Sequence, residues 1–388
     1  MVYLDYNATT PLAQPAREAM LPYLDGEFGN PSSIHAAGRR ARAAIDEARD
    51  DVAEILGVRP SEIIFTSGGT ESCNLGVIGL ARAHAVRGKH IITSATEHHA
   101  ILHAFEFLRH FEDFEVTVLR VGRSGLVDPA ELERAIRPDT TLVSLMHANN
   151  ETGVIQPLPE IGEICKSRRV LLHTDAVQTF GKIPVNPAVL GVSALSIAAH
   201  KFYGPKGAGV LWLDSGVALS RLGHGGSHEN SRRPGTENVA AIAGLAAAAR
   251  FAIAQAHDVE NRVRPLRDEL WHQIHAASPH AIRNGDPAAS LANTLNVSFP
   301  GADGESLLIG LDLHGVCASS GSACMVGSVQ ASHVLLAMGV PKNTALATVR
   351  FSLGSQTTPG DVQRAASAVR SVVELQTHSA SCDTNSFS

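Results

Sequence analysis

Lys201 stands at the end of an apolar stretch, in "SIAAHKFYGPKGAGVLWL", just before a Gly-Pro-Lys-Gly turn. An ammonium at the edge of a buried strand is costly unless it is paired or gives up its proton. A lysine poised as a neutral amine is what a Schiff base to an aldehyde cofactor requires. On this segment alone, a lysine snorkelling from a strand end is the commoner arrangement. Twenty-six residues earlier, "VLLHTDAVQ" places Asp175 at the end of another apolar run. A carboxylate there can keep the pyridine nitrogen of pyridoxal 5'-phosphate (PLP) protonated, so that the ring acts as an electron sink. A lone Asp after a strand is more often a helix N-cap; its pairing with Lys201 shifts the balance. Gln178, three residues on, is within reach of the ring's phenolic oxygen.

Three loops add candidates. "IIFTSGGTESCN" runs strand, Gly-Gly turn, helix, so that Gly69 and Thr70 offer backbone N–H groups to an anion at a helix N-terminus. The capping-box pattern is absent there, and a plain turn fits as well. "TSATEHHA" contains His98, whose ring can stack on a planar cofactor and carry protons; taken alone it reads as a solvated loop histidine. "SLMHANNETG" puts Asn150 after a strand, where it either meets a substrate carboxylate or belongs to an Asn-rich turn. In "CASSGSACMVGS", Cys324 sits among Ser, Gly and Ala with no core periodicity, the exposed and mobile setting that a thiolate nucleophile needs. Cys317, Cys73 and Cys165 read as small core residues, and Cys382 falls in the tail.

The elements that must hold these residues follow from periodicity. Between residues 30 and 210, short apolar runs ("EIIF", "HIIT", "FEVTVL", "TLVSLM", "VLLHT", "ALSIAA", "AGVLWL") alternate with helical stretches. That alternation predicts an α/β fold with a mainly parallel sheet, whose ligands gather at the carboxyl ends of the strands. A long Ala-rich helix over 237–256 leads to a second, smaller α/β pattern ending in "TVRFSL" and a final helix. The expected domains are residues 14–258 for the larger, and 1–13 with 259–376 for the smaller, which carries the Cys324 loop. Residues 377–388 read as a frayed tail.

Composition sets the outer limits. The chain has 388 residues, 44% of them hydrophobic, and a net charge of -6. No nucleic-acid partner is expected from that charge. No membrane segment is expected either, because no apolar run comes near roughly 18 residues. The start of the chain does not read as a secretory signal, and the expected location is the cytoplasm. Five cysteines without CxxC spacing and 19 scattered histidines predict neither a disulfide framework nor a metal site.

Taken together, "YLDYNATTP", "NPSSIHAAG", "FTSGGTESCN", "TEHHA", "MHANNETGVIQ", "HTDAVQTFGK", "HKFYGPKGAG", "HGGSHE", "RRPGTEN", "SSGSAC" and "VRFSLG" resemble the NifS/IscS-type cysteine desulfurases. These are PLP enzymes of fold type I in the class V aminotransferase-like group. The motifs occur in the family's order from residue 3 to about residue 354. The resemblance implies an enzyme that removes sulfur from L-cysteine, leaves L-alanine and forms a persulfide on Cys324. It implies PLP bound as an aldimine on Lys201, with Asp175 at the ring nitrogen and Gln178 and Asn150 at the ring oxygen and substrate. His98 matches the stacking, proton-handling histidine, and Gly69, Thr70 and His200 match phosphate-binding positions. Thr236 matches a threonine donated across a homodimer interface. Arg350 matches the arginine that clamps the substrate carboxylate, a task suited to its fork. A sulfur-acceptor protein, an iron–sulfur scaffold or a tRNA-thiolation carrier, is the implied partner.

Three positions depart from the family pattern. Ala198 stands where a serine is usual, so one phosphate hydrogen bond is expected to be missing. Met-Val-Gly-Ser follows Cys324, and the tail lacks the ending by which housekeeping members meet their scaffold. Two rivals remain on sequence alone: another PLP enzyme such as a selenocysteine lyase or aminotransferase, and a sulfur-relay scaffold that has lost catalysis.

Overall fold

The computed structural model describes residues 1–320 and 330–383, with side chains as far as residue 376. Its centre is a seven-stranded sheet. In spatial order the strands are Ile63–Thr66, Gly209–Leu213, Ala194–Ala198, Leu171–Asp175, Thr140–Ser144, His90–Ser94 and Glu115–Leu119. Six run in one direction; only Gly209–Leu213 is reversed, antiparallel to both of its neighbours. Successive residues along a strand point to opposite faces, and both faces here are apolar. Ile92, Val143, Leu195 and Val210 pack under the helices Ala36–Leu56 and Val239–Asp258. Ile91, Leu142, Ala194 and Leu211 pack under Gly69–His84 and His99–Phe111. Covered on both sides, the strands need continuous apolar runs rather than alternation.

The Ala-rich helix is longer than its sequence pattern predicts. Val239–Asp258 continues through a π-helical turn, Val259–Val263, into Arg264–Ala277. By length and composition alone this run could cross a bilayer, with a mean hydropathy of 1.6 over its most apolar stretch. The expectation that no such run exists is therefore corrected. Its small residues instead let it lie close against Gln14–Leu24 and Ala36–Leu56 inside the main core.

A second apolar core gathers Val2 and Leu4 with residues between Val259 and Val372. It covers an antiparallel sheet of Thr348–Ser352, Thr294–Ser298 and Ile282–Arg283, and a parallel pair formed by Val2–Tyr3 and Val316–Cys317. The final helix runs Pro359–Asp383, continuing into the stretch read from sequence as a tail and taking in Cys382. Cys317 is half-buried rather than a core residue. The N-terminal segment crosses between the cores: Asn7 N–H donates to Ser352 Oγ at 2.9 Å, and Thr10 N–H donates to the His200 carbonyl at 2.9 Å.

Two buried histidines and a half-buried one make the fold acid-sensitive. His173 lies between Ser144 Oγ and Ser196 Oγ, each at 2.9 Å, and burial pushes it down to about 3. Burial pushes His147 down to about 4, and His200 to about 4 with help from Lys201 and Lys206. Each binds a proton more readily unfolded than folded, so its contribution is complete above the ordinary value of 6.5 and is lost as pH falls toward 4. His173 and His147 together should cost about 3 kcal/mol or more across that interval. Urea unfolding at a series of pH values should show the midpoint falling steadily below pH 6.5. A midpoint that stays level there would contradict this assignment.

Candidate active site

Four neighbouring parallel strands end at one edge of the sheet, and each delivers a candidate to it. His98 follows His90–Ser94, Asn150 follows Thr140–Ser144, Asp175 closes Leu171–Asp175, and His200 and Lys201 follow Ala194–Ala198. Together they line a cavity of about 320 Å³, joined by Gly69, Thr70, Gln178 and Arg350. The carboxyl ends of parallel strands are where ligands bind in such sheets.

Asp175 is buried at the base of this cavity. Its Oδ1 accepts from Val177 N–H at 2.9 Å, so it also makes the turn contact expected of an Asp after a strand. Burial pushes its carboxyl above the usual range, while the imidazole of His98 and the ammonium of Lys201 pull it back. Such a carboxylate is stabilised by an added cationic N–H donor. Cys73 also lines the cavity; burial pushes its thiol well above the ordinary value, which leaves it a poor nucleophile.

His98 is no solvated loop residue. It caps the helix His99–Phe111, its Nδ1 accepting from Ala100 N–H at 3.1 Å. That contact leaves the imidazole proton on Nε2. Burial lowers its pKa, with Asp175 opposing. Lys201 donates to the carbonyls of Asn7 and Ala8, each at 2.7 Å, which aims its amine along the N-terminal segment.

Arg350, in the strand Thr348–Ser352, donates to Asp5 Oδ1 at 2.8 Å and to the Asn150 carbonyl at 3.1 Å. Among the described residues its buried Nε has no partner. A guanidinium with donor capacity in reserve suits a carboxylate ligand. Arg350→Lys, which keeps charge but loses the fork, should raise KM for the substrate about tenfold with less change in kcat. Steady-state kinetics would show it; an unchanged KM would remove Arg350 from substrate binding.

Beside the cavity a second hollow is lined by Ser67, Gly68, Gly69 and Thr70 with His200 and Lys206. Gly68, the N-cap of the helix Gly69–His84, makes no side-chain cap bond. The turn depends on close backbone approach: a Cβ on Gly209 would lie 2.7 Å from Gly68 Cα. A Cβ on Gly69 would lie 3.0 Å from Val177 Cγ2 and 3.2 Å from the Ala198 Cβ. Glu71 also lines the hollow, turned to Ser67 N–H and Arg233. Backbone N–H groups at a helix start, with Lys206 and the His200 imidazole, fit a phosphate. The buried acid, the amine and this cradle together fit the PLP expected from sequence. Ala198→Ser should tighten PLP binding about fivefold through one added hydrogen bond. A spectroscopic titration that gives equal affinities would mean that the serine position does not reach the phosphate.

Thr236 is exposed and lines a separate hollow with Phe65 and Glu229, so within one chain it does not join the cavity. Cys324 lies outside the described residues. Sequence reasoning missed Asn7, whose carbonyl receives both Lys201 Nζ and, at 3.0 Å, Gln178 Nε2. Within its motif nothing sets this asparagine apart, and its burial shows only in the fold.

The aminotransferase class-V family model matches residues 2–365. The chain is 49% identical to the cysteine desulfurase IscS of Dictyoglomus turgidum, over 96% of this chain and 94% of that protein. It is 47% identical to the cysteine desulfurase IscS of Methanosarcina thermophila, over 96% and 92% respectively. Among solved structures, a NifS-like protein superposes with a TM-score of 0.91 at 37% identity, covering 96% of this chain and 99% of that one.

Proposed function

From the premise that this chain belongs to the class-V aminotransferase family and is a PLP-dependent cysteine desulfurase, we propose that it stores the sulfur of L-cysteine as a persulfide on Cys324. The observation that carries the reading is the meeting of Lys201, Asp175, His98 and Arg350 around one cavity.

PLP, when bound, supplies an electron sink for bond breaking next to the substrate's amino group. Lys201 would hold it covalently through Nζ, Asp175 would serve the ring nitrogen and Gln178 the ring oxygen. Gly69, Thr70 and His200 would hold the phosphate. Arg350 receives the substrate carboxylate, for which Asp5 must release the guanidinium. Lys201 Nζ takes the proton from the substrate's α-carbon. The Cys324 thiolate attacks the substrate sulfur, forming an S–S bond as the carbon–sulfur bond breaks. His98, with its proton on Nε2, and Lys201 return protons to carbon, so that alanine leaves.

We propose a homodimer in which Thr236 reaches the partner's phosphate site; its exposure and its place outside the lining of this chain's own cavity support that role. The persulfide would pass to a protein acceptor, an iron–sulfur scaffold or a thiolation carrier. Cys73, Cys165 and Cys317 are all free thiols, consistent with a reducing, cytoplasmic setting.

The direct test is to incubate the PLP-loaded protein with L-cysteine and a reducing thiol, then assay alanine and sulfide together. Equal amounts are expected. The 2-oxo acid of cysteine, 3-mercaptopyruvate, in place of alanine and without sulfide would favour the aminotransferase alternative.

A further inference from the structure

Lys182 has none of the roles above, yet its amine is enclosed within hydrogen-bond reach of the cavity wall. It follows the turn after Asp175, and with Lys201 it lines a small hollow behind the cavity. Its Nζ donates to Gln178 Oε1 at 2.9 Å and, more weakly, to Asn7 Oδ1 at 3.4 Å. Among the described residues no carboxylate forms an ion pair with it.

An ammonium has donors only, so each amide that meets it must present its oxygen. The nitrogen end of each amide is then turned the other way. Gln178 Nε2 donates to the Asn7 carbonyl at 3.0 Å, while Asn7 Nδ2 donates to the Asn150 carbonyl at 3.2 Å and to Thr294 Oγ1 at 2.9 Å. The Asn7 carbonyl is also the oxygen that receives Lys201 at 2.7 Å. Asn7 Oδ1 is held chiefly by Asn293 Nδ2, at 3.0 Å. We propose that Lys182 is a positioning residue: by taking the oxygen of Gln178, it fixes the amide N–H that Gln178 offers the cofactor ring and the Asn7 carbonyl on which the Lys201 amine sits.

The position is an unfavourable one for a cation. Burial, with repulsion from Lys201 and Arg350, pushes Lys182 down to about 7. Methionine would fill similar space without that penalty, so packing alone does not account for an amine here.

The inference rests on the PLP reading, and its test separates the two. PLP affinity and the visible absorbance maximum of the loaded protein would be measured for wild type, Lys182→Met, Gln178→Glu and the double variant, with the thermal midpoint of each apo-protein. Lys182→Met should weaken PLP binding about tenfold, the worth of one misdirected hydrogen bond, and shift the maximum. Its apo-protein should melt no lower than wild type. Gln178→Glu, which deletes the same N–H, should weaken binding similarly, and the double variant should be no worse than either single one. Wild-type affinity and spectrum in Lys182→Met would overturn the inference, as would a loss that merely follows a lowered thermal midpoint. If Lys182→Met does not fold, Lys182→Gln is read by the same criteria. A wild-type protein that takes up no PLP would overturn the PLP reading itself, and this inference with it.

Discussion

Lys201→Ala should lower alanine formation from cysteine at least about a thousandfold, because one amine both anchors the cofactor and moves the α-proton. The visible band of the PLP-loaded protein should disappear with it. The fold should survive: the Asn7 carbonyl keeps its bond from Gln178 Nε2, and Lys201 lies at the cavity rather than in either apolar core. A normal thermal midpoint without the band would therefore separate a chemical role from a structural one. A variant that keeps a tenth of wild-type turnover would show that another group does this work. Cys73 will not substitute, since its buried thiol is held in the protonated form.

Cys324→Ala should retain the PLP band and lose persulfide formation altogether, with alanine production falling about a thousandfold. The two losses differ in kind. Removing Lys201 stops the reaction before the substrate is activated, whereas removing Cys324 leaves activation intact and takes away the sulfur's destination. Cysteine should therefore still perturb the spectrum of Cys324→Ala, without release of sulfide. Full sulfide production in this variant without an added thiol would remove Cys324 from the mechanism. Its role rests on the resemblance and on its Gly/Ser setting, because residues 321–329 lie outside those described.

Much of the site was legible because the sheet is built locally. Asp175 ends one strand and Lys201 follows the end of the adjacent parallel one, with Asp175 opposite Ser196, so one strand–helix–strand step of sequence becomes one step across the sheet. The apolar runs marked the strands well, since strands covered on both faces keep no polar side. What such runs do not encode is direction. The stretch that contains Gly209–Leu213 reads like its neighbours but lies antiparallel, carrying Ile63–Thr66 to the far edge beside it.

Other features depend on contacts distant in sequence. Asn7 matters through Ser352, Thr294 and Lys201, and no local pattern marks it. His98 taken alone reads as a solvated loop residue, and only the series of motifs points to its role; the bond from Ala100 N–H is what orients it. At the Gly-Gly turn the capping box is indeed missing, yet Glu71 accepts from Ser67 N–H at 2.6 Å and is itself held by Arg233 at 2.8 Å. That arrangement orders the cradle through a residue in a distant loop.

The most direct test is a single turnover without any reducing thiol, followed by peptide mass analysis of the segment that contains Cys324. The account predicts one added sulfur atom on Cys324 for each alanine released, and none on Cys73, Cys165 or Cys317. Alanine released in equal amount with Cys324 unmodified, or with the sulfur on another cysteine, would contradict it.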